Sequence, residues 1–274
     1  MIVVEGAVDS KGMRSIETLV QDGICRSAEY YQRTESTNTV ALQNMRAGAI
    51  DESLLPKCYL ADEQTAGRGR HGRRWISSEG TLTFSLVMER PTVKAEHSGL
   101  ESIAVGVGIA RSLEFEFAPL RCRLKWPNDV HVGGGKVAGV LLETLPEASG
   151  RVVIGVGVNV ANEPDLSAEP GGRKAQSLTG VIGRNVFRYE MLTSLVTQIV
   201  QTVDELSGDP VSVLDEYRSR CLLTGNQIAF QQGAVERHGV CDGISDRGEL
   251  VVQTETGSQL VQSGEARLVR VQDI

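Results

Sequence analysis

Cysteine is scarce in this chain and scattered: five residues in 274 (Cys25, Cys58, Cys122, Cys221, Cys241), an odd number with no C-x-x-C pair. That pattern excludes a disulfide framework and a zinc cluster, and it favours reduced thiols in the cytoplasm. The four histidines (His71, His97, His131, His238) have no metal-ligand spacing. No apolar run is long enough for a membrane-spanning helix, and no basic stretch leads into an apolar one at the N-terminus. Positive charge is in deficit, with 28 Lys and Arg against 35 Asp and Glu and a net charge of −7. Duplex DNA and anionic membranes are therefore not expected partners. There is no internal repeat and no low-complexity segment.

What charge the chain does concentrate lies at residues 61–75, Ala-Asp-Glu-Gln-Thr-Ala-Gly-Arg-Gly-Arg-His-Gly-Arg-Arg-Trp. Gly67, Gly69 and Gly72 alternate with Arg68, Arg70, Arg73 and Arg74, and Trp75 closes the run. Glycine brings backbone N–H groups close to a ligand, and arginine offers a planar fork for carboxylate or phosphate oxygens. The combination points to a small-anion site. Alone, such a run is equally a solvated basic loop. An RGG-like nucleic-acid contact is disfavoured by the single copy, the missing aromatic interleaving and the acidic surroundings. Gly67 to Gly72 also fits G-x-G-x-x-G, but no helical apolar period follows it, so the dinucleotide reading fails.

Along the chain, residues 1–24 show only a β-branched start and a short possible helix. Residues 28–33 read as a strand, and the Glu35-Ser36-Thr37-Asn38 cluster caps a helix carrying Val40, Ala41, Leu42 and Met45. Residues 57–61 form a strand entering the Gly/Arg run. Leu82, Phe84, Leu86 and Met88 alternate with Thr81, Thr83 and Ser85, a half-buried strand. Apolar residues from Leu100 to Ala110 have helical spacing, giving a helix up to about Glu116.

Residues 122–125 are strand-like and end at Trp126-Pro127, a rigid turn that sets Asn128 and Asp129. Gly133-Gly134-Gly135 predicts a tight hairpin, followed by Lys136 and a return strand over 137–143 that is either interior or an edge. Val130 and Val137 stand where a Walker A motif needs Gly and Ser/Thr, so the Gly-Lys pair is not one. In 152–160 the valines and Ile154 share one face, and Val153, Gly155, Gly157 and Asn159 the other, which leaves room for a flat ligand. Residues 162–176 read as a mobile loop. Two helices follow, from about Leu192 and from Pro210. After about Leu223 short strands alternate with Gly turns, so the chain divides into 1–222 and a small all-β unit, 223–274.

In order, the segments are Glu-Ser-Thr-Asn, Gln-Thr-Ala-Gly-Arg-Gly-Arg-His-Gly-Arg-Arg-Trp, Lys-Trp-Pro-Asn-Asp, Gly-Lys-Val-Ala-Gly-Val-Leu-Leu-Glu and Gly-Val-Gly-Val-Asn-Val. This series closely resembles the biotin–protein ligases, strongly over about residues 30–160 and more loosely through Gly-Glu-Ala-Arg-Leu-Val-Arg near the C-terminus. The resemblance implies an α+β fold: a mixed β-sheet flanked by helices, related to class II aminoacyl-tRNA synthetases and lipoate ligases, with a small C-terminal β-barrel. Some members carry an N-terminal DNA-binding domain. The residues before the Ser-Thr-Asn segment are too few for one, so the ligase-only form is expected.

The implied reaction has two steps, in which biotin and ATP give biotinyl-AMP and a lysine of a biotin carboxyl carrier protein takes the biotin. A lipoate ligase and an inactive biotin-binding module are the alternatives. The attacking carboxylate is already ionised at neutral pH. Alignment of two repelling anions is therefore the main demand, and a cationic glycine-rich loop answers it. By resemblance, Ser36, Thr37 and Asn38 meet the ureido end of biotin, with Gln64 beside them. Arg68, Gly69 and Arg70 lie over the biotin carboxylate and α-phosphate, and Lys136 at the carboxylate and bridging oxygen. Arg68, Arg70 and Lys136 are the catalytic candidates. Arg73, Asn128, Asp129 and Asn159 serve the nucleotide, with Asp129 also a ligand for Mg2+. Trp75 either walls the adenine or is a core residue, and Glu143 is read as structural. Members are often homodimers, and the 137–143 strand is a candidate edge for that contact or for docking the carrier.

Overall fold

The structure is a computed structural model that describes residues 1–93, 99–164, 175–232 and 235–269. Most of the expected 162–176 loop lies outside the described residues.

Eight strands form one mixed sheet. They are β1 (Ile2–Glu5), β2 (Ser27–Thr34), β3 (Lys57–Gln64), β4 (Thr81–Glu89), β5 (Arg123–Lys125), β6 (Asp129–Val132), β7 (Gly135–Glu143) and β8 (Arg151–Asn159). Their order is β1-β2-β3-β4-β8-β7-β6-β5. The first three run parallel and every other pairing is antiparallel. Strands β4 and β8 pair along their whole lengths, from Thr81↔Asn159 to Glu89↔Arg151, and form the centre.

The two faces of this sheet differ. On one, Leu60, Leu82, Phe84, Leu86, Ile154, Val156 and Val158 meet α1 (Ser10–Gln21), α3 (Glu101–Glu116) and α5 (Leu192–Glu205) in the main apolar core. On the other, Tyr59, Val87 and Val153 pack under Ala41, Leu42 and Met45 of α2 (Thr37–Arg46). Strand β4 was expected to be half-buried, yet Thr81 to Met88 is buried throughout. Its polar face is covered by α2 and the loops beside it instead of by water. Residues 1–24, nearly featureless as sequence, supply edge strand β1 and helix α1, whose N-cap Asp9 accepts a 2.7 Å hydrogen bond from the Lys11 N–H.

The Gly triplet makes the expected turn, with Gly133 and Gly134 at φ 59° and 81°. Strand β7 lies between β6 and β8 at 138–139, while among the described residues its 141–143 end has β8 as its one strand neighbour.

Helix α6 (Pro210–Arg220), capped by Asp209 and started by Pro210, leads into β9 (Gln227–Gln232), β10 (Val235–Ile244), β11 (Leu250–Thr254), β12 (Gly257–Val261) and β13 (Ala266–Leu268). These form an antiparallel sheet in the order β12-β11-β10-β9-β13, whose outer strands β12 and β13 are not paired with each other. Its apolar face (Ile228, Phe230, Cys241, Leu250, Val252) is continuous with the main core. Trp126 donates from its indole N–H to the Gly248 carbonyl at 2.9 Å, a second tie between the sheets.

Two glycines of α3 face different surroundings. A Cβ at Gly106 would make ordinary contacts of 3.7 Å with Leu124 and 3.9 Å with Tyr217, whereas one at Gly108 would stand 2.8 Å from the Gln198 carbonyl on α5. Gly106→Ala should stabilise the protein by up to about 1 kcal/mol through helix propensity. Gly108→Ala should destabilise it by about 1–3 kcal/mol, because the contacted atoms are backbone. Urea-unfolding midpoints of the two variants should shift in opposite directions.

Candidate active site

On the α2 side of the sheet, the N-terminus of α2, the Gly/Arg loop, the turn after β5 and strands β7 and β8 enclose a cleft with a cavity volume of about 310 Å³. All the residues singled out from sequence line it: Ser36, Thr37, Asn38, Gln64, Arg68, Gly69, Arg70, Arg73, Trp75, Asn128, Asp129, Lys136 and Asn159. Segments far apart in sequence are thus brought onto one surface.

The cleft floor rests on glycine. Gly139 of β7 and Gly157 of β8 are direct cross-strand partners, and Gly155 lies opposite Leu141. A Cβ at Gly157 would stand 2.3 Å from the Trp75 ring, one at Gly155 2.3 Å from Asn38 Oδ1, and one at Gly139 2.8 Å from Lys136 Nζ. The room expected over Gly155 and Gly157 is therefore filled by the protein's own Asn38 and Trp75, and a ligand would meet those side chains first. Trp75 lines the cleft and is no core residue; its indole N–H is buried with no hydrogen-bond partner among the described residues. Lys136 Nζ lies 5.8 Å from the ring centroid, within cation–π range.

The Gly/Arg loop folds on itself. Gly69 N–H donates to the Arg73 carbonyl at 2.7 Å and Trp75 N–H to the Gly67 carbonyl at 2.9 Å. His71 and Gly72 take the left-handed conformation at φ 56° and 72°. The four guanidinium groups diverge. Arg68 pairs with Glu143 at 2.5 Å, and Arg70 donates to Asn128 Oδ1 at 3.3 Å. Arg73 pairs with Glu265 of the C-terminal unit, and Arg74 donates to the Thr65 carbonyl at 3.0 Å. Burial lowers the Arg70 pKa, an effect that the Asp129 charge opposes. Arginine stays protonated regardless.

The turn after β5 holds two of these cations. Asn128 donates to the Val140 carbonyl at 2.7 Å and so fixes the oxygen that meets Arg70. Asp129 Oδ1 lies 2.6 Å from Lys136 Nζ. Burial pushes the Asp129 carboxyl up, but the Lys136 and Lys125 ammonium groups outweigh it and hold the carboxyl below its ordinary range. Asn159 donates to the Lys136 carbonyl at 3.3 Å, while its own Oδ1 is buried without a partner among the described residues.

At the other end, Gln64 Oε1 accepts from the Thr37 N–H at 2.7 Å and from its hydroxyl at 3.1 Å. Ser36 caps α2 by position but makes no cap hydrogen bond with its side chain. Asn38 donates to Glu143 Oε2 at 2.9 Å and to the Leu141 carbonyl at 3.3 Å. The Ser85 hydroxyl bridges Thr37 Oγ1 at 2.6 Å and Asn38 Oδ1 at 2.5 Å. Thr83, Lys125 and Glu265 also line the cleft and were not expected there, while the equally unexpected Ser85 is buried beneath it, bonded to Thr37 and Asn38. The Thr/Ser alternation within an apolar strand was the one available signal for Thr83 and Ser85.

Among the described residues, no three His, Cys, Asp or Glu side chains cluster to hold a metal ion, and no helix is long and apolar enough to cross a membrane.

Comparison with known proteins agrees with this geometry. The biotin/lipoate A/B protein ligase family matches residues 30–159. A biotin–[acetyl-CoA-carboxylase] ligase of Paracoccus denitrificans is 34% identical over 238 residues, covering 85% of this chain and 97% of the relative. One of Mycobacterium tuberculosis is 32% identical over 247 residues, 88% of each. Among solved structures, the biotin protein ligase of Aquifex aeolicus in complex with biotin and ATP superposes with a TM-score of 0.71 at 27% identity, covering 89% of this chain and 98% of that one. The fold is that of the biotin/lipoate protein ligases. Within that class, the chain belongs to the biotin–protein ligase family.

Gly157→Ala should drive the Trp75 ring off the sheet, at a cost of about 1–3 kcal/mol in stability. Its tryptophan emission should shift to the red. In a Trp75→Phe background the same substitution should leave the emission unchanged.

Proposed function

We propose that the protein activates biotin with ATP and transfers it to a lysine of a biotin carboxyl carrier protein, as the names of its ligase relatives imply. In the first step a biotin carboxylate oxygen attacks the α-phosphorus of ATP, an O–P bond forms and pyrophosphate leaves. In the second, the carrier's lysine amine attacks the carbonyl of the mixed anhydride, forming an amide as AMP leaves and the amine loses a proton.

The observation that carries the reading is the convergence of Arg70 and Lys136 on one cleft, each held by a residue of the same Asn128-Asp129 turn. Both reactants are anions, so two preorganised cations lower their mutual repulsion and stabilise charge on the phosphoryl oxygens. The Thr37, Gln64 and Ser85 end is uncharged and rich in donors and acceptors, which suits a ureido group. The Trp75 and Asn159 end offers a ring, a free indole N–H and a free amide oxygen, which suits a purine.

Two residues fit their expected roles less directly. The Arg68 guanidinium is engaged by Glu143, which favours a part in holding the loop. The Asp129 oxygen is engaged by Lys136, so it is a poor stand-alone magnesium ligand. Magnesium would arrive on the triphosphate, as is usual where protein carboxylates are few.

A labelled-biotin transfer assay with ATP and carrier protein tests the activity, and absence of both adenylate and biotinylated carrier would overturn it. Lys136→Ala and Arg70→Ala should each slow adenylate formation at least about a hundredfold, the loss of about 3 kcal/mol expected for one preorganised charge contact. Pyrophosphate release in a single turnover measures it.

A further inference from the structure

Among the described residues, Glu143 is the carboxylate that joins the Gly/Arg loop to the polar floor of the pocket. Its Oε2 receives Arg68 Nη2 at 2.5 Å and Asn38 Nδ2 at 2.9 Å. From Asn38 the chain of hydrogen bonds continues through Ser85 to Thr37, and from Thr37 to Gln64. Asn38 has little freedom to turn, because its amide lies against Gly155, donates also to the Leu141 carbonyl and meets Ser85. Glu143 itself does not line the main cleft. It borders a second cavity, lined by Arg68 to Arg73 of the loop and by Leu141. It stands on the 141–143 end of β7, beyond the stretch that β6 pairs. A residue outside the main cleft acts on the reaction through others.

We propose that Glu143 is a positioning residue that couples the register of the Gly/Arg loop to the set of the pocket floor, with Arg68 as the loop's side of the tether. The carboxylate neutralises Arg68, while Arg70 and Lys136 are held at the cleft by Asn128 and Asp129. When the floor is ordered, Asn38 presents Glu143 to Arg68 and the loop is held over the cleft; when the tether is cut, the loop keeps its sequence, its charges and its Arg73–Glu265 contact but loses its tie to the floor. The proposal rests on the ligase reading for its catalytic consequence only, since the tether itself is a property of the free protein.

The test therefore has a ligand-free arm. Trypsin cuts after arginine, so nicking within 68–74 of the full-length protein reports loop opening without any substrate. Glu143→Ala and Arg68→Ala should each raise the nicking rate at the remaining loop arginines about tenfold or more, the change expected when a charged hydrogen bond is lost. The double variant should nick no faster than either single one, because the two side chains form one contact. Glu143→Gln, which keeps the shape and one acceptor, should fall between wild type and Glu143→Ala and guards against a folding defect in the smaller variant. In the catalytic arm, Glu143→Ala should raise KM for biotin about fivefold or more while kcat at saturating biotin changes less than about threefold, the pattern of weakened binding without lost transition-state contact. Unchanged nicking in Glu143→Ala and Glu143→Gln, or additive nicking rates in the double variant, would overturn the tether. Increased nicking with no ligase activity in the wild type would retain the tether and reject the ligase reading instead.

Discussion

The absence of side chains at Gly139, Gly155 and Gly157 is the constraint on which the cleft depends. Each lies on the sheet face opposite the main core, and each has a cleft-lining side chain directly against its backbone: Lys136, Asn38 and Trp75 respectively. Any larger residue would lift its partner by the width of a methyl group, in a site where reacting atoms must be aligned to fractions of an ångström. The sheet gives up apolar packing on that face and recovers it on the other, where the alternate residues of β4, β7 and β8 are almost all aliphatic. One strand pair thus serves as core on one side and as a hard, thin floor on the other.

Charge is arranged on that floor against the trend of the molecule. A chain of net charge −7 holds Arg70, Lys136 and Lys125 around a single carboxylate, Asp129. Without that carboxylate the partly buried cations would repel one another in a region of low dielectric. Because Asp129 titrates below the ordinary carboxyl range, it stays ionised throughout the neutral region, and the local balance remains positive without being uncompensated. Anionic reactants complete it.

The sequence made the cleft legible because its parts are short and local. The Gly/Arg run, the Trp-Pro turn and the Gly-Lys hairpin each carry local turn chemistry, the Ser-Thr-Asn segment marks where α2 begins although Ser36 makes no side-chain cap, and their order matched one family. What could not be read depends on distance. Ser85 and Thr83 became part of the site only because β4 lies beside β8 and under α2, which also buries the strand face expected to meet water. Glu143 looked like the end of a strand until Arg68, 75 residues earlier, was found on it. Residues 1–24 offered only a β-branched start and a short possible helix, and β1 and α1 stand there; their place at the sheet edge and against α5 was not readable from so short a stretch. The open space read over Gly155 and Gly157 was inferred from one strand alone, and side chains from two other segments fill it.

The C-terminal sheet shares in this arrangement. Its apolar face runs into the main core, Trp126 reaches Gly248, and Glu265 meets Arg73 at the rim of the cleft. The Gly/Arg loop is consequently held at two places by carboxylates from different parts of the chain: Glu143 on β7 takes Arg68, and Glu265, just before β13, takes Arg73. Between those anchors lies Arg70, whose guanidinium meets an amide instead of a carboxylate. A loop pinned by its flanking cations, with its central one left facing the cleft, presents a positive charge in a defined place while its glycines keep the backbone close to whatever binds.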